Sequence, residues 1–432
     1  MMERPKPRVL YISSADPLKG PGAIGMGHYQ HMKDAGLEVD FLTLHPVEGH
    51  PEIMHVKNSI TWFDKIQEKI KRKLRIIPYP HYNFFYKKEE DPPVSTLKVL
   101  NSIKRDYDWV IIYFCQRMLS FQTVEAIYDK LNKPIVFFFS PDFFYMSGGC
   151  HFPGECTNYQ TGCGCCPVFN SKNPNDFTHR NVMYRERVYK KIRPVVFGNN
   201  YMQSFYRKSF LLKDARLELS TPKLNVELYH PIDRKSLLKK YGISSGKSFI
   251  IAFGCQGLTN ERKGIKYLIE ALHIWQSQMR ETEREKILLI AAGRDFESIK
   301  DSLPFDSIGL GMLDVGVLPE FYSLADVFVC PSVNDAGPSM VGQSIACGTP
   351  VVGFEMGALL DHVKGKGTGY CAELRNSADL AKGLDMFFIM EKAERDYVRS
   401  RCLEWANKCG AIDRIQVWID LFYKYYRDEK IH

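Results

Sequence analysis

This 432-residue chain has no apolar run long enough to cross a bilayer. Its start, Met1 to Pro7, is polar, and the apolar run that follows, Val9 to Ile12, is too short for a secretory leader. A second apolar run, Ile135 to Phe139, is broken by Ser140, Pro141 and Asp142. These absences predict a cytoplasmic protein. Strong charge of one sign is also lacking: 58 Lys and Arg against 50 Asp and Glu leave a formal net charge of +8. That mild excess permits contact with polyphosphate or anionic lipid and does not require nucleic acid, so no nucleic-acid partner is expected. No repeat of solenoid length is present, and there is no P-loop. Gly246-Lys-Ser248 resembles the end of one, but Tyr241 stands where the loop needs glycine, and the tripeptide precedes a strand instead of following it.

Alternation dominates what is there. Val9–Ser13, Val39–Leu44, Trp109–Phe114, Ile135–Phe139 and Val195–Phe197 read as strands in the first half. Phe249–Phe253, Ile287–Ala291, Val327–Cys330 and Val351–Phe354 do so in the second. Helical patterns between them, such as Ile265–Gln278 and Ser339–Ala346, argue an α/β chain with parallel sheets. The polar, proline-bearing stretch from Ser220 to Ser245 reads as a connector holding a short charged helix, Asp233–Lys240. Two doubly wound domains follow, 1–220 and 221–412, with a final amphipathic helix over 413–432. Such domains bind ligands beyond the carboxyl ends of their strands, so a cleft between the two is the expected site.

The stretch Cys330 to Val352 reads as strand, glycine-bearing loop, helix, turn and strand. Asp335 sits before the loop and Gln343 eight positions later, inside the helix. Backbone N–H groups at the helix start, around Gly337, Pro338, Ser339 and Met340, favour an anion, while Asp335 and Gln343 can bond hydroxyls. Phosphate beside hydroxyl-rich rings describes a nucleotide sugar. Glu261-Arg-Lys-Gly264 follows another strand and opens a helix. Arg262 and Lys263 at a helix N-terminus oppose its dipole, a cost that an occupying anion would remove; a solvated basic turn is the plainer alternative.

Other motifs carry less. Gly20-Pro-Gly22-Ala-Ile-Gly25 matches the dinucleotide fingerprint, with Asp40 downstream, but several residues separate it from the strand ending near Ser13. A longer glycine loop fits better. Asp106-Tyr-Asp108 is a D-x-D, yet it lies at the amino end of a strand, where ligands do not bind. Five of the 12 cysteines fall between Cys150 and Cys166. Cys150, Cys156, Cys163 and Cys166 could hold a structural zinc, or form a reduced, partly buried thiol cluster; the spacing fits both equally. Lys65 to Ile76 mixes six basic with four apolar residues, and Tyr79, Tyr82, Phe84, Phe85 and Tyr86 follow. Either a peripheral membrane contact or an ordinary solvated helix accounts for it.

Together these motifs resemble the family 4 glycosyltransferases, retaining enzymes of the GT-B fold, over nearly the whole chain. Gly20 to Gly27 is similar to that family's glycine-rich loop after the first strand. Arg262-Lys263-Gly264 is similar to its KG motif, and Pro331 through Pro350 to its acidic-x7-acidic signature. Asp142 followed by the segment 147–167 resembles a cysteine-rich insert in a branch that acts in surface-polysaccharide assembly. Three departures stand out: Gln343 replaces the second acidic residue, Pro141 replaces a histidine before Asp142, and the phosphate-binding arginine has no match near Gly254 other than Arg262.

The resemblance implies a metal-independent hexosyltransferase with no catalytic cofactor. It would use a UDP- or GDP-sugar and a glycan or lipid-linked acceptor, and work in the cytoplasm or on the inner face of the membrane. Asp335, Lys263 and Asp142 are the implied catalytic residues, with Gly22, Arg262, Lys263, Gly337, Pro338, Ser339, Met340 and Gln343 around the donor. The final helix would pack on the first domain. A catalytically weak or inactive nucleotide- or glycan-binding relative is the alternative, given Pro141 and Gln343; an NAD-dependent oxidoreductase built on the Gly20 loop is another.

Overall fold

The computed structural model describes residues 6–18, 20–56, 94–139, 141–220 and 223–431, with single positions between 57 and 93. The basic segment 65–76 and the aromatics after it lie almost wholly outside the described residues. The chain divides into two units, one of 1–198, 202–220 and 413–432 and one of 199–201 and 221–412.

The first unit holds seven strands: β1 (Arg8–Ser13), β2 (Glu38–Thr43), β3 (Met54–His55), β4 (Trp109–Phe114), β5 (Ile135–Phe139), β6 (Val195–Gly198) and β7 (Arg216–Leu219). Their order is β3-β2-β1-β4-β5-β6-β7, and every pair is parallel. The helices are α1 (Pro21–Asp34), α2 (Thr96–Ser102), α3 (Phe121–Lys130), α4 (Phe177–Ile192) and α5 (Asn200–Tyr206). The second unit holds β8 (Phe249–Gly257), β9 (Ile287–Arg294), β10 (Ser307–Gly309), β11 (Val327–Cys330), β12 (Val351–Phe354) and β13 (Gly369–Ala372). These are again parallel, in the order β10-β9-β8-β11-β12-β13. Around them lie α6 (Arg234–Lys240), α7 (Ile265–Ser277), α8 (Glu281–Arg284), α9 (Leu318–Leu324), α10 (Ser339–Ala346), α11 (Ala358–His362), α12 (Ser377–Ile389) and α13 (Lys392–Gly410). A last helix, α14 (Arg414–Ile431), belongs to the first unit.

Both sheets are Rossmann-like and doubly wound. Their central strands are mostly apolar because helices cover both faces; in β11 and β12 every residue is buried. Core-facing helices repeat apolar residues at helical spacing, as Ile265, Leu268, Leu272 and Trp275 do in α7. In α14, Ile415, Trp418, Phe422 and Tyr425 form the buried stripe, with Phe422 4.4 Å from the Trp109 ring of β4.

The glycines after β1 do not form a long loop. Pro21 supplies the fixed φ that suits a first helical position, so α1 begins there and Gly22, Gly25 and Gly27 lie inside the helix. Gly20 alone remains in the turn, at φ +49°. Gly22 is needed for close approach: a Cβ there would stand 1.8 Å from the Asp16 carbonyl oxygen. Asp40 lies in the amino half of β2, away from the carboxyl edge, and its carboxylate is bonded by Arg105 Nε at 2.8 Å and the Tyr107 hydroxyl at 2.5 Å. The ribose-binding acid of a dinucleotide site belongs at the carboxyl end of that strand, so the oxidoreductase alternative loses its support. Asp108, at the start of β4, accepts from the Arg8 N–H at 2.8 Å. No described helix is long and apolar enough to cross a membrane.

Candidate active site

In the second unit, β8 and β11 are neighbours at the point where strand order reverses, the usual place for a ligand in an open α/β sheet. The loops after these two strands are laced together. A 3-10 turn, Glu261–Lys263, follows β8, capped by the Asn260 side chain accepting from the Arg262 N–H. Gly264 then adopts φ +67°, and a Cβ there would stand 1.9 Å from the Pro331 carbonyl oxygen. From the β11 loop, the N–H groups of Val333 and Asn334 donate to the Arg262 carbonyl at 2.9 and 3.3 Å.

This lacing brings Asp335 to the neighbouring Arg262 and Lys263, which lie 73 and 72 positions earlier in sequence. Arg262 Nη1 donates to Asp335 Oδ2 at 2.6 Å, and Lys263 Nζ to the same oxygen at 2.5 Å. Asp335 Oδ1 accepts from the Gly337 N–H at 3.3 Å. The three side chains are 14%, 18% and 10% exposed, so the group is mostly desolvated and carries one excess positive charge. Burial pushes the Asp335 carboxyl up, but the Lys263 and Arg262 charges outweigh it and hold the pKa below the ordinary value.

The helix α10 begins beside this cluster. Pro338 at its N-cap provides no side-chain bond to the first N–H groups. Gly337 and Ser339 are exposed and Met340 half-buried. The Asn199 amide fixes the loop by donating to the Ala336 carbonyl at 2.7 Å. Two cations and an uncapped helix start at a strand switch point can together hold a diphosphate.

Gln343, one helical face further on, has its carboxamide between two tyrosines. The Tyr322 hydroxyl donates to Oε1 at 2.8 Å, and Gln343 also hydrogen-bonds Tyr229. Asp142 lies in the first unit, just beyond β5, and is 2% exposed. Its Oδ1 accepts from the Phe144 N–H at 2.9 Å and its Oδ2 faces His151 Nδ1 at 3.0 Å. The carboxylate therefore orients a ring and a turn. His151, 17% exposed, is the more accessible member of the pair. Sequence reading missed it: the proline before Asp142 is the visible gap, and the histidine arrives nine residues later from the cysteine-rich segment.

That segment is held by a fully buried ion pair. Arg185 Nη2 bonds Glu89 Oε1 at 2.8 Å, both side chains being 0% exposed, and Arg185 also donates to the Phe144 and Ser147 carbonyls. All the cysteines are free thiols. Burial, then the neighbouring Cys163, Cys166 and Cys156, push the Cys150 thiol well up. Burial takes Cys163 to about 12. The four thiols expected as zinc ligands thus sense one another. Among the described residues, however, no three His, Cys, Asp or Glu side chains are arranged to hold a metal ion.

Two parallel-sheet, Rossmann-like units are the ingredients of the GT-B fold, and solved structures of that fold match nearly the full chain. Sucrose-phosphate synthase from Thermosynechococcus elongatus superposes with a TM-score of 0.66 at 16% identity, covering 98% of this chain and 99% of that one. HepE from Anabaena, solved with UDP-glucose, gives 0.59 at 12% identity, with coverage of 97% and 100%. These likenesses concern fold alone. More specifically, residues 233–401, which include Arg262, Lys263, Asp335 and Gln343, match the family described as Glycosyl transferases group 1. An uncharacterized glycosyltransferase of Methanocaldococcus jannaschii is 28% identical over 134 residues, or 30% of this chain and 33% of that protein. The chain thus spans about a third of the length of that curated relative.

Proposed function

We propose that this protein transfers a hexose from a nucleotide-diphosphate sugar, UDP- or GDP-linked, to a glycan or lipid-linked acceptor, with retained configuration, in polysaccharide assembly. The observation that carries the reading is the Arg262–Lys263–Asp335 cluster beside the uncapped start of α10. The match to the glycosyl transferases group 1 family over the same residues supports it.

In this mechanism the diphosphate leaving group gains negative charge as the glycosidic bond breaks. Lys263, Arg262 and the N–H groups of residues 337 to 340 meet that charge from fixed positions in a largely dry site, which is where electrostatic stabilisation is strongest. Asp335 has a different part from the sugar-orienting one expected of it. It keeps both cations in place and compensated until phosphate arrives, and its remaining oxygen bonds the loop. Gln343 would reach ribose hydroxyls only with the lone pair and N–H left by the two tyrosines. The acceptor belongs to the first unit, and cytoplasmic location with contact at the inner membrane face follows from a lipid-linked acceptor.

Donor turnover tests this. Lys263→Ala should lower kcat with the preferred nucleotide sugar about a hundredfold, the usual cost of one transition-state donor, while the folded midpoint changes little because Arg262 still pairs with Asp335. Full turnover in the variant would remove the proposed role. Nucleotide binding by the wild type without any turnover would favour the inactive relative instead.

A further inference from the structure

The first sheet has its own switch point, between β1 and β4. Three polar residues stand just beyond the carboxyl ends of adjacent strands there. Ser14 follows β1; its N–H donates to the Phe114 carbonyl at 2.6 Å, but its buried Oγ has no partner. Gln116 follows β4 and is 1% exposed, and neither its Oε1 nor its Nε2 is hydrogen-bonded. Asp142 follows β5, with His151 attached. Tyr145, from the turn that Asp142 starts, donates its hydroxyl to the Ile112 carbonyl of β4 at 3.0 Å, which ties that turn to the same strand. The Tyr113 phenol of β4 is raised by burial first and by the Asp142 charge second, so the carboxylate lies near this edge. The uncapped start of α1, at Gly20, follows the same strand as Ser14.

A buried carboxamide with both its donor and its acceptor unmet is rare in a folded protein and marks a place where another molecule supplies the partners. We propose that Gln116 and Ser14, flanked by the Asp142–His151 pair, form a binding site for the neutral hydroxyls of a carbohydrate acceptor. The site rests on the glycosyl-transfer reading of the second unit. Its chemistry suits a sugar: a carboxamide offers donors and acceptors, a serine hydroxyl offers both, and neighbouring sugar hydroxyls need both. His151 supplies the accessible edge. Its Nδ1 stands 3.0 Å from the Asp142 carboxylate, which fixes the orientation of the ring at the edge of the site.

Gln116→Leu and Ser14→Ala in the full chain test the proposal. The probes are UDP-glucose and GDP-mannose as donors and a set of methyl glycosides as acceptors. Gln116→Leu should leave the thermal midpoint of the free protein unchanged or raise it, since an apolar group replaces an unmet amide. It should also raise acceptor KM about tenfold, the value of one or two lost hydrogen bonds, and leave slow donor hydrolysis by water unchanged. Ser14→Ala should act in the same direction by a smaller factor. A lowered midpoint with unchanged acceptor KM in Gln116→Leu would overturn the site and give the amide a structural role. If the wild type consumes no donor, the second-unit reading fails, and saturation-transfer NMR with the methyl glycosides still decides this one: equal signals for wild type and Gln116→Leu would contradict it.

Discussion

The two sheets reverse strand order at equivalent places, between β1 and β4 in one and between β8 and β11 in the other, yet they furnish those places differently. At β8 and β11 the polar groups are charged and bonded to each other. At β1 and β4 they are neutral, and the Ser14 hydroxyl and the Gln116 amide are unmet. The difference has a physical source. A desolvated cation without a partner is too costly to keep, so a cation meant for phosphate must be paired in the meantime, and Asp335 does this for two of them. An unmet neutral amide costs far less, so a site for sugar hydroxyls can wait unpaired. On the proposed reading, one unit is furnished for a charged ligand and the other for a neutral one.

The strongest test of this contrast concerns an ion pair that the first unit buries completely. Arg185→Leu should destabilise that unit by about 3–5 kcal/mol, because it strands Glu89 without its partner. Chemical denaturation should show it, and nucleotide binding by the second unit should persist. Replacing both members, Glu89→Leu with Arg185→Leu, should recover much of the loss. If the single variant cost nothing, the buried-charge argument would fail for both units.

Acid should weaken the second unit next. His362, in α11 and 4% exposed, accepts from Trp405 Nε1 through Nδ1 at 3.1 Å. Burial, with help from Lys366, lowers its pKa to about 4. The unfolded ring titrates near 6.5, so protonation favours the unfolded chain. This contribution to stability is complete above pH 6.5 and is lost as pH falls toward 4, amounting to about 3 kcal/mol. Denaturation midpoints measured across that range should fall for the wild type, and His362→Gln should flatten the slope. An unchanged slope would mean another group carries it.

Gln343→Glu should have the smallest effect. A carboxylate keeps the Tyr322 bond and accepts more strongly from ribose hydroxyls, so donor affinity should tighten by about 1 kcal/mol, roughly fivefold. Calorimetry showing no change would separate α10 from the ribose.

What could be read in the sequence follows the same physics. Trp109–Phe114, Ile135–Phe139, Val327–Cys330 and Val351–Phe354 match their strands residue for residue, because central parallel strands are continuous apolar runs. The four strands that escaped notice, β3, β7, β10 and β13, are the edges of the two sheets. They are two to four residues long and partly solvated, so they carry no such run. Arg262, Lys263 and Asp335 were visible as motif residues, but their mutual bonding was not, since it depends on Gly264 bringing two distant loops into contact. His151, Ser14 and Gln116 had no local signal at all. Only the strand order sets Ser14 beside Gln116, and only the folded cysteine-rich segment returns His151 to Asp142.

The central claim is that the paired cations of the second unit are there for phosphate. Isothermal titration of UDP and GDP into the wild type and Lys263→Ala, at low and moderate salt, tests it most directly. One nucleotide should bind the wild type, with affinity falling as salt rises. Lys263→Ala should bind it at least about tenfold more weakly, with a shallower dependence on salt, as the loss of a charge-assisted bond requires. Equal affinity in the two proteins, or no binding of either nucleotide by the wild type, would contradict the account.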